Sequence, residues 1–130
     1  MSSPVPKHNT ANSSFVWEIG GTPSHLISAA NTNPTSVKAA PGTLMGVVCF
    51  NPTATVGWLK LHDTAGAPIA GTTAVKQTYL VPASTAGNGF IVDIPIEFTA
   101  GIALTFTGGS ADADTTAAPA GVAINVIYRD

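Results

Sequence analysis

Apolar side chains recur along this chain in short runs with a period of two. In Gly89–Phe98 the residues Phe90, Val92, Ile94, Ile96 and Phe98 fall at every second position, the alternation that turns one face of a strand toward a core. Ile102, Leu104 and Phe106 repeat it over Ile102–Thr107, and Val122, Ile124, Val126 and Tyr128 over Gly121–Arg129. Val56–Asp63 sets Val56, Trp58 and Lys60 on one face and Leu59 and Leu61 on the other, and Val75–Pro82 carries Val75, Tyr79 and Val81. Phe15, Trp17 and Ile19 alternate with Val16 and Glu18. Thr43–Asn51 is a near-continuous apolar run closed by Asn51-Pro52, and His25–Ala30 and the weakly apolar Thr35–Ala40 complete the set. The pattern predicts about eight or nine short strands.

Between these runs stand Gly20-Gly21, Pro41-Gly42, Asn51-Pro52, Ala65-Gly66, Gly87-Asn88-Gly89 and Gly108-Gly109, each with the turn chemistry that punctuates strands. The longest stretch free of Gly and Pro, Lys7 to Ile19, is polar in its first half, so no helix is expected. Short strands with Gly/Pro turns predict a single-domain antiparallel β-sandwich over residues 15–130. A compact jelly roll is the first choice and an immunoglobulin-like sandwich the alternative. Pro95 interrupts the longest run and cannot donate to a ladder. It predicts an edge position or a bulge, and one long run bending between two sheets accounts for both features. Residues 1–14, with Pro4, Pro6 and many small polar side chains, read as a flexible N-terminal arm, either free or ordered on a neighbouring subunit.

Composition sharpens the picture. Hydrophobic residues make up 45% of the chain and charged residues only 9%, against roughly 25% charged in an average soluble protein. A lone monomer normally covers its outside with charge, so much of this surface is expected to meet other protein. Net charge is −2, and the five basic residues Lys7, Lys38, Lys60, Lys76 and Arg129 are scattered. No basic patch can be assembled for phosphates or acidic lipid, which argues against nucleic-acid and membrane partners. The N-terminal residues supply no apolar core of signal-peptide length, and no apolar run approaches the ~18 residues of a membrane span. Cys49 is the single cysteine and sits in Val47-Val48-Cys49-Phe50. A disulfide framework is therefore impossible, and a buried, inert thiol is expected.

A search for chemistry finds little. His8, His25 and His62 lack the spacing of a metal pair. No Gly-x-Ser-x-Gly elbow and no phosphate-binding Gly-x-x-x-x-Gly-Lys occurs, and the seven acids show no pairing in sequence. No catalytic residue, cofactor or metal is expected. Asp112 and Asp114 on the Gly-rich stretch Gly108–Thr116 have the spacing for hard-cation oxygen ligands, but turn stabilisation is the stronger reading. Trp17, Trp58, Tyr79 and Tyr128 offer a sugar-stacking platform as an alternative to core or interface anchoring. The candidate partner-contact residues are His8 and Trp17, in the arm and first strand, with Asp112 and Asp114 on the longest polar loop.

Several ordered motifs extend this reading. Ser36-Val37-Lys38-Ala39-Ala40-Pro41-Gly42, Val56-Gly57-Trp58-Leu59-Lys60-Leu61-His62-Asp63 and Ala67-Pro68-Ile69-Ala70-Gly71-Thr72 form one part of the pattern. Phe98-Thr99-Ala100-Gly101-Ile102-Ala103-Leu104-Thr105, then Asp112-Ala113-Asp114-Thr115-Thr116, then Val126-Ile127-Tyr128 form the rest. Together, over residues 25–129, they resemble a family of small structural proteins of tailed bacteriophages and prophages. The resemblance implies a non-enzymatic virion protein made in the host cytoplasm. Its implied role is capsid cement or decoration: binding the outside of the head, tying neighbouring major capsid subunits together and self-associating as a dimer or trimer. A tail- or fibre-associated module recognising a host glycan is the alternative. The family pattern carries over no catalytic residues.

Overall fold

The computed structural model describes the side chains of residues 20–84 and 89–130, and the backbone alone of residues 6–9 and 14–17. Among these residues run eleven strands: β1 (Pro6–Asn9), β2 (Ser14–Trp17), β3 (Thr22–Ile27), β4 (Thr35–Lys38), β5 (Gly42–Phe50), β6 (Gly57–Asp63), β7 (Gln77–Val81), β8 (Gly89–Val92), β9 (Ile96–Phe98), β10 (Ile102–Thr107) and β11 (Ala123–Arg129). They build two antiparallel sheets packed face to face. One has the order β4-β10-β6-β7; the other has the order β3-β11-β5-β8, with β9 also on β5. The protein is an antiparallel β-sandwich. β1 and β2 form a separate two-stranded sheet with Pro6 opposite Trp17 and His8 opposite Phe15. β1 falls within the stretch expected as an arm, and β2 covers the start of the first expected strand. The side chains of His8 and Trp17 lie outside the described residues.

The period-two pattern fixes the core. Leu59 and Leu61 of β6 and Ile102, Leu104 and Phe106 of β10 point inward from the four-stranded sheet. Val47 and Cys49 of β5 and Ile124 and Val126 of β11 meet them from the other sheet, all essentially inaccessible to water. Burial at this level is worth roughly 1.5–3 kcal/mol for each large apolar side chain. Cys49 belongs to this core, where burial pushes its thiol up to about 12.

Two irregularities adjust the alternation. In β5, Ile127 faces Gly46 while Tyr128 faces Leu44. Met45 is thus the extra residue of a bulge, which lets Leu44 and Val47 both point inward although three positions apart. Opposite it, Val47 pairs with Val92 and Leu44 with Ile96. Met45 and Gly46 therefore stand against Asp93, Ile94 and Pro95, one residue more. Pro95 sits in this edge bulge, where its missing N–H costs no ladder bond. The long run does not cross between sheets, because both of its halves, β8 and β9, pair with β5.

The corner between β3 and β4 is held by a residue the pattern does not single out. Asn33 adopts φ 50°, a left-handed conformation that asparagine tolerates better than most residues. Its Oδ1 accepts from the Ala29 N–H (2.7 Å), and its Nδ2 donates to the carbonyls of Ala29 (3.0 Å), Asn31 (3.0 Å) and Phe106 (3.3 Å). One buried amide thus fastens the corner to β10 of the opposite sheet.

Candidate interaction surface

The two outer faces of the sandwich differ. On the four-stranded sheet, the positions between the core residues are Trp58, Lys60 and His62 of β6 and Ala103, Thr105 and Thr107 of β10, with Lys60 opposite Thr105 and His62 opposite Ala103. These would meet water, but residues 64–76 and 108–117 fold over them. Lys60 is 1% exposed, and its Nζ donates to the Ala111 carbonyl at 2.5 Å. His62 Nδ1 donates to the Ala74 carbonyl (2.9 Å). That bond assigns the tautomer, so Nε2 accepts from the Thr105 hydroxyl (2.8 Å). Burial is the main reason the imidazole titrates below its ordinary value; the Ala74 carbonyl opposes that shift, and Lys60 and Asp112 act on it in opposite senses. A hydroxyl against an imidazole is the beginning of a nucleophile site. Here, however, the ring's other partner is a backbone carbonyl, and Thr105 and His62 are 0% and 1% exposed. The pair is sealed from any substrate and acts as a polar packing layer.

The loop that closes this layer carries the two acids singled out above. Asp112 is exposed and Asp114 half-exposed. Asp114 Oδ2 accepts from the Thr116 hydroxyl (2.7 Å), the Gly109 N–H (2.9 Å) and the Thr116 N–H (3.2 Å). The Thr116 hydroxyl bond leads in holding this carboxyl below its ordinary value; burial works against that, and the two backbone N–H bonds and Lys60 assist. The carboxylate is thus spent on its own turn. Among the described residues no group of three or more His, Cys, Asp or Glu converges as metal ligands do.

Among the described residues, Trp58, Tyr79 and Tyr128 do not form one platform. Trp58 is half-buried on the capped face. Tyr79 and Tyr128 pack against the core, Tyr79 with its ring 6.3 Å from that of Phe90.

Among the described residues no loop folds over the outer face of the other sheet. Across its strands, in register, Ile27 stands beside Ala123 and Phe50, then His25 beside Asn125, Val48 and Ile91, then Pro23 beside Ile127 and Gly46. Ile91 is 70% exposed, Ile27 54%, Phe50 40% and Val48 37%, and Ile94 in the edge bulge is 64% exposed. Other exposed apolar residues, such as Val56 and Ile69, are single and of the ordinary kind. In the middle of the face Met45, Gly46, Val48, Ile91, Val92, Asp93 and Ile127 line a shallow hollow. The polar residues beside it bond to one another and to the sheet: His25 Nδ1 bonds Asn125 Oδ1 (2.6 Å), and Asn125 Nδ2 donates to the Val48 carbonyl (3.0 Å). Covering this face would leave that amide paired. Contiguous exposed apolar surface of this kind marks interaction sites.

Sequence reasoning pointed to the acidic loop and missed the bare face. The signal was present in Val47-Val48-Cys49-Phe50: a strand with only one buried face would carry polar residues at Val48 and Phe50. No family model, curated protein or solved structure matches this chain.

Proposed function

We propose that this chain is a non-enzymatic structural component of a tailed-phage virion, a cement or decoration protein seated on the outside of the head and bridging major capsid subunits. The observation that carries the reading is the bare apolar face on a closed sandwich whose chain has only 9% charged residues. Such a body is suited to being covered by protein. The sealing of His62 and Thr105 beneath loops supports a binding role over a reacting one. The resemblance of residues 25–129 to small phage structural proteins supplies the particle.

Cement acts by mass action. A protein that binds assembled shell and not free subunits adds RT ln(1 + [L]/Kd) per site, about 2.7 kcal/mol at a hundredfold excess over Kd. Purified protein added back to shells stripped of it is expected to bind in many copies and to raise their resistance to heat, while free capsid protein binds poorly. Cryo-electron microscopy of the particle should then show repeated density bridging capsid subunits. Absence of binding to stripped shells, or density confined to the tail, overturns the proposal.

A further inference from the structure

We propose that His62 is an acid-released catch: protonation of its ring frees residues 64–76 and 108–117 from the outer face of the β4–β10–β6–β7 sheet, while the sandwich beneath stays closed. The inference concerns the capped face of the free chain and stands or falls independently of any shell.

Three observations carry it. First, the two covering segments form one cap. A Cβ on Gly71 would stand 2.9 Å from Thr115 Cγ2 and 3.1 Å from the Ala113 carbonyl oxygen, so residues 64–76 abut residues 108–117. From the middle of the sheet's face two side chains reach this cap, His62 through the Ala74 carbonyl and Lys60 through the Ala111 carbonyl. Second, the site fits a neutral ring and not a charged one. Nε2 accepts from the Thr105 hydroxyl. A protonated ring donates at Nε2 instead, so two donors meet, and the hydroxyl proton loses the one side-chain acceptor it has among the described residues. Third, the surrounding charges do not compensate. Lys60 lies two positions away on the same face of β6, 1% exposed, and opposes a second buried cation. Asp112 favours one but is exposed, and Asp114 is bonded to its own turn. Lys76, which ends the first segment, stands 3.7 Å from Asp63. β10 brings no charged residue, and β7 brings only Tyr79, which packs against the core. Burial leads in holding the ring below its ordinary 6.5. The neutral ring therefore supports the closed cap fully above that pH, and the support is lost as pH falls below it.

The test is native-state hydrogen exchange of the full-length chain at pH 7, 6 and 5, expressed as protection factors so that the intrinsic pH dependence of exchange is removed. The cap is read at the amides of Lys76, Gly108 and Asp114, which bond to the carbonyls of Leu61, Thr116 and Ala111, and the sandwich is read at β11. Over this range the carboxyls of Asp63 and Asp114 stay ionised, because both titrate below 3.8. Cap protection is expected to fall by up to about tenfold for each pH unit below 6.5, while protection at β11 holds. His62→Asn, whose amide keeps a donor toward Ala74 but does not titrate, should abolish the fall. His8→Gln with His25→Gln leaves His62 the single histidine and should preserve it. In that single-histidine chain the ring's proton NMR signals should titrate in step with the loss of cap protection, and this measurement decides alone where His62→Asn does not fold. Cap protection that is flat from pH 7 to pH 5 overturns the proposal, as does an equal fall at β11, because the whole sandwich then opens. A fall that survives His62→Asn overturns it too. So does a ring that takes up its proton while the cap stays protected.

Discussion

At the scale of single residues, the stabilising polar groups are those that answer several backbone donors at once. Asp63, at the end of β6, accepts from the Ala100 N–H (2.8 Å), the Thr99 N–H (3.0 Å), the Thr99 hydroxyl (3.1 Å) and the Gly101 N–H (3.3 Å), and Lys76 Nζ stands 3.7 Å away. Burial pushes this carboxyl up, but the N–H groups of Thr99, Ala100 and Gly101 and the Thr99 hydroxyl outweigh it and hold the group at about 2. The folded value lies below the ordinary 3.8, so the folded state gains from the ionised form. That gain is complete above about pH 4 and is lost as pH falls toward about 2. Asp63→Asn keeps the shape but turns an amide toward donors. It is expected to cost about 1–2 kcal/mol at pH 7, at the low end because the group is partly open to water. Urea unfolding at pH 7 and pH 3 checks this: the gap between native and variant chains should shrink at the lower pH. An equal gap at both would mean that the carboxylate's charge is not its source.

At the scale of elements, the strands with long apolar or alternating runs were legible to within a residue or two. Ile102–Thr107 is β10 as the pattern predicts, and Thr43–Asn51, Val56–Asp63 and Gly121–Arg129 lie within two residues of β5, β6 and β11. What period two cannot reveal is a change of phase. The run from Gly89 to Phe98 breaks into β8 and β9 because the extra residue near Pro95 answers the bulge at Met45 in its neighbour. Nor can it reveal what lies above a sheet: Lys60 was placed correctly on the face opposite Leu59 and Leu61, yet it is buried because distant loops cover it. Gly57 shows the same limit. It opens β6 with no turn to require it, but a Cβ there would stand 2.1 Å from Cζ of Phe106 and 2.5 Å from its Cε1. Because Phe106 is fully buried, its ring cannot swing aside without disturbing the core. Gly57→Ala is therefore expected to destabilise by about 1–3 kcal/mol. A fall in the denaturation midpoint with unchanged slope would show it, and an unchanged midpoint would mean that the ring has room to move.

At the scale of the whole molecule, the two sheets are built almost entirely from distant pairings. β3 joins β11 across about a hundred residues, with Asn125 against His25. The same β11 joins β5 on its other side, and β4 reaches β10 in the opposite sheet. Neither sheet can close until most of the chain has been recruited, and each closure carries its loop entropy before any core contact repays it. Folding on the millisecond-to-second scale follows. The position of β11 makes a sharper statement. It lies second in its sheet and contributes Ile124 and Val126 to the core, both at most 1% exposed. Without it β3 has no strand partner among the described residues, and β5 keeps only the short β8 and β9. A chain ending at residue 120 also loses the Ser28–Val122 and Gly121–Ser28 backbone bonds, which fasten the end of β3. Such a chain is expected to be unfolded throughout, with no surviving four-stranded sheet, because that sheet has no other layer on which to bury Leu59, Leu61, Leu104 and Phe106. Far-UV circular dichroism and methyl dispersion in a one-dimensional proton spectrum decide the matter. A truncated chain with native-like methyl shifts would mean that the β4–β10–β6–β7 sheet is a folding unit in its own right, and that the sandwich is assembled from parts of unequal stability rather than as one cooperative body.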